Sequence, residues 1–374
     1  MTTDETTDDI VEVPPVREAR STTGGARAVP SRLLRSQHIW AVAAIVGLLC
    51  INVVKDPGYL SITYSSNTGA FVGNLVDIAR AAAPLIMIAT GMCLVIATGG
   101  IDLSVGSMMA VAGAVAMEYL SSANAPSSIG AAAAAIGLAV GLCAVLGAVN
   151  GILISVVGLQ PFITTLVMML AGRGLAKVIT GGQNTTAVNE RYRWIANGYV
   201  LGLPVVFLAS AAIAVAVAFV IRRSALGMMI ESIGINAEAS RLAGLNRRAL
   251  LITVYVVSAF LAGIAGIFST GTVMTVDVSQ TGYQFELDAI LAVVIGGTSL
   301  AGGKFSLAGA AIGALLIATL DKTVVFLGVP ASATPAFKAA VIIVLYVAQS
   351  RRVRGWAAGL RRSRRKSVRQ VVAT

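Results

Sequence analysis

Long apolar stretches, each ended by a short group of Gly, Pro, Asn or charged residues, constrain this chain more than any other feature. A helix needs about 20 mostly apolar residues to cross a bilayer. Residues 74–97, 129–157, 199–221 and 249–273 reach that length with few charges among them. Inside lipid every backbone N–H and C=O must be satisfied within the protein, so spans of this kind are helical. An ordinary soluble fold is excluded from the other side. Only 12% of the 374 residues are charged and 56% are hydrophobic, against about 25% charged in a soluble domain. The mean hydropathy is +0.84, and the polar surface is too scarce to cover a globule in water. The expected fold is all-α, a polytopic membrane helical bundle of about ten transmembrane helices with glycine-interrupted segments.

Taken in order, the expected spans are 39–54, 74–97, 103–120, 129–157, 162–179, 199–221, 249–273, 285–295, 305–320 and 337–348. Three regions follow. Residues 1–38 are polar, with five Arg and six acids, and read as a disordered cytoplasmic segment. Residues 39–348 form the membrane domain. Residues 349–374 hold nine Lys or Arg and no acid, and read as a basic cytoplasmic tail. So dense a tail could bind nucleic acid. Placed directly after an apolar span, it reads better as an anchor for anionic lipid headgroups. The loop 222–248 adds five Arg. The positive-inside rule then puts this loop and both termini in the cytoplasm of a bacterial inner membrane, with Arg191 and Arg193 falling outside.

The remaining residues offer little chemistry. Cys50, Cys93 and Cys143 lie in apolar runs without metal-ligand spacing and read as small hydrophobes. A single histidine, His38, excludes a multi-His site. No catalytic residues, metal or cofactor are expected. Lys304 follows two glycines, but Thr298 stands where a P-loop needs its first Gly and Phe305 where it needs Ser or Thr. ATP hydrolysis, if transport requires it, belongs to another subunit. Glu286 and Asp288 open a span, where acids complement the helix dipole.

Asp102 is the most informative ionisable residue. It lies in TGMCLVIATGGIDLSVGSMMAVAGAV, where a carboxylate costs roughly 2.5–3.5 kcal/mol on insertion scales. Gly99 and Gly100 can break the helix and free the N–H groups of Ser104 or Val105 for Asp102 to accept. Unwound backbone is tolerated only against protein or a wet cavity, so this cap and a substrate pathway can coexist. GGTSLAGGK (296–304) echoes GGIDLSVGS (99–107) and sets Ser299 opposite Asp102. Two interrupted helices of this kind point to a substrate path. Thr98, Asp102, Ser104 and Ser299 are its candidate residues.

The segment SIGINAEASRLAGLN (232–246) carries its own helix ends. Asn236 is a candidate N-cap, Glu238 a first-turn acid, Arg241 a base near the end, and Gly244 a stop. Ala239, Leu242 and Ala243 share one face at helical spacing. Two turns are too short to be stable alone, so the segment must dock, either on the membrane or on a partner.

Four motifs carry a resemblance: GMCLVIATGGIDLSVGS (91–107), QPFITTLVMMLAGRGLAKVITGGQ (160–183), SALGMMIESIGINAEASRLAGLN (224–246) and ELDAILAVVIGGTSLAGGKF (286–305). With them the chain resembles the inner-membrane permease subunits of bacterial ribose/xylose/arabinose-type ABC sugar importers, from about residue 75 to 350. It is similar in particular to galactofuranose permeases. The resemblance implies a permease without chemistry of its own and a second permease as homo- or heterodimer. It also implies separate ABC ATPase subunits, an external sugar-binding protein and a sugar substrate. It gives 236–244 a partner, a groove of the ATPase. Two alternatives stand beside it: a secondary transporter driven by an ion gradient, which broken helices would suit, and an ABC permease for branched-chain amino acids.

Overall fold

The computed structural model describes residues 37–66 and 69–349. The expected N-terminal segment and basic tail therefore fall almost wholly outside the described residues.

The helices are α1 (Gln37–Lys55), α2 (Asn74–Ala97), α3 (Val105–Ala123), α4 (Ile129–Ile152), α5 (Pro161–Ile179), α6 (Glu190–Asn197) and α7 (Val205–Arg223). They continue as α8 (Leu226–Ile235), α9 (Ala237–Leu242), α10 (Arg247–Val273), α11 (Phe285–Ile295), α12 (Leu307–Leu327) and α13 (Thr334–Gln349). A π-helical turn, Leu153–Val157, extends α4. Among the described residues three two-stranded antiparallel ribbons join loops: Thr63–Ser65 with Ala70–Val72, Thr185–Thr186 with Thr275–Val276, and Tyr199–Val200 with Leu203–Pro204.

The centre of the bundle is α10, packed against α2, α3 and α4. Apolar attraction between helices is weak in lipid, so small residues that bring backbones together carry the packing. A Cβ on Gly91 of α2 would lie 2.8 Å from Ser258 Cα, and one on Gly151 of α4 would lie 2.6 Å from Ile252 Cα. Every residue of α2 from Leu85 to Ala97 is buried. At the other extreme, α7 buries only Val206, Ser210 and Ile221 and leaves Val215, Phe219 and Val220 exposed.

Among the described residues six helices are long and apolar enough to cross a membrane: Asn74–Ala97, Ile129–Val157, Pro161–Ile179, Val205–Arg223, Arg247–Val273 and Leu307–Leu327. The expected ten full crossings are not all present as such. The stretch at 285–295 is a helix of 11 residues, about 16 Å long and so about half the hydrocarbon thickness. The expected span 103–120 begins only at Val105, because Leu103 and Ser104 belong to the preceding turn. The span expected from Tyr199 starts at Val205, since 199–204 folds into a ribbon. The polar loop 180–197 contains an unforeseen helix, α6, whose N-cap Asn189 accepts the Tyr192 N–H at 2.9 Å. Cys93 and Cys143 are buried, whereas Cys50 is exposed.

Candidate functional site

The break between α2 and α3 gathers several of the buried polar side chains. Asp102 is fully buried. Its Oδ1 accepts the Ser104 N–H at 3.0 Å and the Ser104 hydroxyl at 2.5 Å. Its Oδ2 accepts the Ser258 hydroxyl at 2.9 Å. Ser104 Oγ in turn accepts from Asn150 Nδ2 at 3.0 Å, and Thr165 Oγ1 donates to the Ile101 carbonyl at 3.1 Å. One turn is thereby fastened to α4, α5 and α10. A carboxylate in this apolar body is tolerated because three donors replace its water. The N-cap of α3 is Ser104. Asp102 holds the turn that leads into the helix, two residues before it.

The four expected pathway residues do not form one cluster. Asp102 and Ser104 are bonded together. Thr98 caps the end of α2, with its hydroxyl on the Val95 carbonyl at 2.7 Å. Ser299 is exposed on the second break, where its Oγ accepts the Ala301 N–H at 3.3 Å. That bond reaches two residues on, as the Asp102 bond to Ser104 does, so the aligned positions share a local device. The breaks also touch, because the Gly303 N–H donates to the Ala97 carbonyl at 2.9 Å.

Residues 224–246 form two short helices. Asn236 ends α8 and caps α9, its Oδ1 accepting from Glu238 N at 3.1 Å and Ala239 N at 3.0 Å. Arg241 pairs with Glu238 at 2.6 Å. Its hydrogen bonds hold the Glu238 carboxyl below the usual carboxylate range. Gly244 ends the segment at φ 82°, a backbone state favoured by glycine. Ser240 faces inward, while Ala239, Leu242 and Ala243 are exposed, Leu242 at 75%. Behind them, Gly234 of α8 is wedged between the breaks. A Cβ there would lie 1.9 Å from the Ala97 carbonyl oxygen and 2.4 Å from the Gly303 nitrogen.

Sequence reasoning missed a charge cluster. Lys338 of α13 bridges Asp288 of α11 at 3.1 Å and Asp321 of α12 at 2.7 Å. Asp288 has a specific partner, then, beyond the helix dipole. The signal was present in Lys338 itself, a cation inside an apolar run, which calls for an acid nearby. Among the described residues no group of three or more His, Cys, Asp or Glu could hold a metal ion.

Residues 74–346 match the family described as branched-chain amino acid transport system / permease component. The chain is 52% identical over 338 residues to the fructose import permease protein FruF of Bifidobacterium longum, covering 89% of this chain and 93% of that protein. It is 37% identical to the galactofuranose transporter permease protein YtfT of Escherichia coli K12, over 83% of this chain and 89% of the relative. The ribose import permease protein RbsC of the same strain is 35% identical, over 88% and 98%. No solved structure matches. With a family match across most of its length, and an interrupted helical core pinned by buried polar bonds, the chain belongs to the permease components of the branched-chain amino acid transport system family.

Proposed function

We propose that this chain is the membrane-spanning permease subunit of an ATP-driven sugar importer. The observation that carries the reading is the 52% identity to a fructose import permease, extending through both breaks and the 224–246 segment. The galactofuranose and ribose permeases among its relatives point to the same substrate class. Neither alternative gains comparable support. The family description names amino acids, but the relatives that cover this chain at high identity are named for sugars. A fully buried carboxylate that already accepts three hydrogen bonds from the protein is also a poor ion-coupling site.

In this reading the bundle lies in a bacterial inner membrane with both termini and 222–248 in the cytoplasm. The domain runs over 39–348. Four segments join the six long helices to give ten segments in all: α1, α3 and α13, and α11, which crosses only half the membrane. Asp102 and Ser104 hold the shape of the pathway wall, and Thr98 and Ser299 lie at the cytoplasmic end of the two breaks. ATP is hydrolysed by partner ATPase subunits, sugar is delivered by an external binding protein, and a second permease, identical or not, completes the pathway. The 236–244 segment docks into the ATPase, and lipid headgroups hold the basic tail.

The test is reconstitution of the chain with its ATPase and binding protein in vesicles. Fructose, ribose and galactose are offered in turn. Uptake of at least one that requires ATP and survives collapse of proton and sodium gradients is the expected result. Gradient-driven uptake without ATP would overturn the reading, as would ATP hydrolysis by the purified chain alone.

A further inference from the structure

A second polar site lies away from Asp102, where two interrupted helices begin. Gly106 in the first turn of α3 meets the start of α11. A Cβ on Gly106 would lie 2.2 Å from Glu286 Oε2 and 2.4 Å from the Gly282 carbonyl oxygen. The pair is deep in the bundle by sequence distance. Ser258, which reaches the turn before α3, is the twelfth residue of α10, about 17 Å along that helix from its start. Helix beginnings that meet inside a membrane body present N–H groups and positive dipole ends to one place.

Two opposite charges stand there without closing an ion pair. Glu286 Oε2 is buried and has no hydrogen-bond partner. Arg173 of α5 reaches the same place through the residue before Gly282. Its Nη1 donates to the Thr281 carbonyl at 2.6 Å. A guanidinium has five N–H donors in a fixed fork, so most of its capacity remains. An orphaned buried carboxylate oxygen carries a desolvation cost of about 1–3 kcal/mol or more. It asks for a donor, while the guanidinium held on the Thr281 carbonyl has donors to spare. A hydroxyl group satisfies both at once. Arg173 and Glu286 are themselves only partly buried.

We propose that Arg173 and Glu286 form a sugar-hydroxyl subsite of the translocation pathway, with Arg173 donating to a hydroxyl oxygen and Glu286 accepting a hydroxyl hydrogen. The subsite rests on the sugar-import reading above. It places the selective contact at the meeting of α3, α5 and α11 and leaves Asp102 as a positioning residue.

The test uses the assembled permease, ATPase and binding protein in vesicles. Fructose, ribose and galactose are screened with the wild type, and the transported sugar is then compared with its monodeoxy analogues. Variants are Arg173→Lys, Glu286→Gln and Glu286→Asp. The binding protein is common to all arms, so its own preferences divide out. The expected result is that, in the uptake that remains, discrimination against at least one deoxy analogue is reduced about tenfold, the scale of a hydrogen bond to a charged group. A purely structural role, or a site filled by water alone, leaves the discrimination pattern unchanged whether or not overall uptake falls, and that result overturns the subsite. Failure of the wild type to take up any of the three sugars with ATP overturns the import reading and the subsite with it.

Discussion

Ser258, in the middle of α10, donates its hydroxyl hydrogen to Asp102 from 156 positions away in the chain. The bond ties the central helix of the bundle to the turn between α2 and α3. Ser104 closes the same carboxylate from within the turn, and Asn150 of α4 reaches Ser104. Removing the carboxylate therefore strands donors on two elements, the turn and α10.

Asp102→Ala is expected to lower stability by about 3 kcal/mol or more, because buried donors left without an acceptor cost about 1–3 kcal/mol each. Asp102→Asn keeps one acceptor oxygen and should lose less. The measurements are membrane yield, thermal unfolding in detergent and the rank order of transported sugars. A normally folded Ala variant with a switched sugar preference would refute the positioning role.

Lys338 answers two carboxylates with one ammonium. Its side chain and that of Asp288 are 19% and 17% exposed, whereas Asp321 is 40% exposed. Solvent screens the Asp321 contact, so the Asp288 contact carries more of the effect. Lys338→Met is expected to cost about 3 kcal/mol by leaving a mostly buried carboxylate unpaired. Lys338→Met combined with Asp288→Asn and Asp321→Asn should recover most of that loss in detergent melts. An additive, unrecovered loss in the triple variant would show that the three residues do not act as a unit.

Gly234 sits where α8 presses between the two breaks. A methyl group 1.9 Å from a carbonyl oxygen cannot be accommodated without separating the backbones. Gly234→Ala should insert into the membrane normally. It should cost about 1–3 kcal/mol in overpacking and lower sugar-stimulated ATP hydrolysis more than basal hydrolysis. Equal values of both rates in variant and wild type would mean that the contact transmits nothing.

Much of this architecture was legible in the residues, and the gaps have physical causes. Apolar length announced α2, α4, α5, α7, α10 and α12, since composition alone decides whether a helix can lie in lipid. Gly99, Gly100 and Asp102 announced the first break, because a lone carboxylate in an apolar run needs free N–H groups. Asn236 and Gly244 announced α9 through cap chemistry that is local in sequence. Phe285–Ile295 was read as a crossing because an apolar run does not say whether a helix spans the whole bilayer or half of it. Ser258 and Asn150 are unremarkable in sequence, and their partners lie 156 and 46 positions away. Arg241 reads only as a base near the helix end, whereas Glu238 three residues earlier holds it. Such pairings depend on packing between helices, which periodicity does not encode.

The last prediction concerns the exposed face of α9. Asn236 and Gly244 fix its ends, Ser240 turns inward, and Ala239, Leu242 and Ala243 point away from the bundle. A six-residue helix with a bare leucine at 75% exposure gains nothing from that leucine in the isolated chain. Leu242→Asp should therefore leave membrane insertion and thermal stability close to wild type. If the ATPase covers this face, burying one leucine contributes about 1.5–3 kcal/mol, so the substitution weakens docking by about tenfold or more. Co-purification of the ATPase should fall, and sugar-stimulated ATP turnover and uptake should fall with it. The Glu238–Arg241 pair lies beside this face and serves as the control. Glu238→Gln frees Arg241 without altering the apolar contact, so it should retain the ATPase. A Leu242→Asp complex that holds its ATPase and keeps full sugar-stimulated turnover would show that α9 is a surface turn without a coupling role.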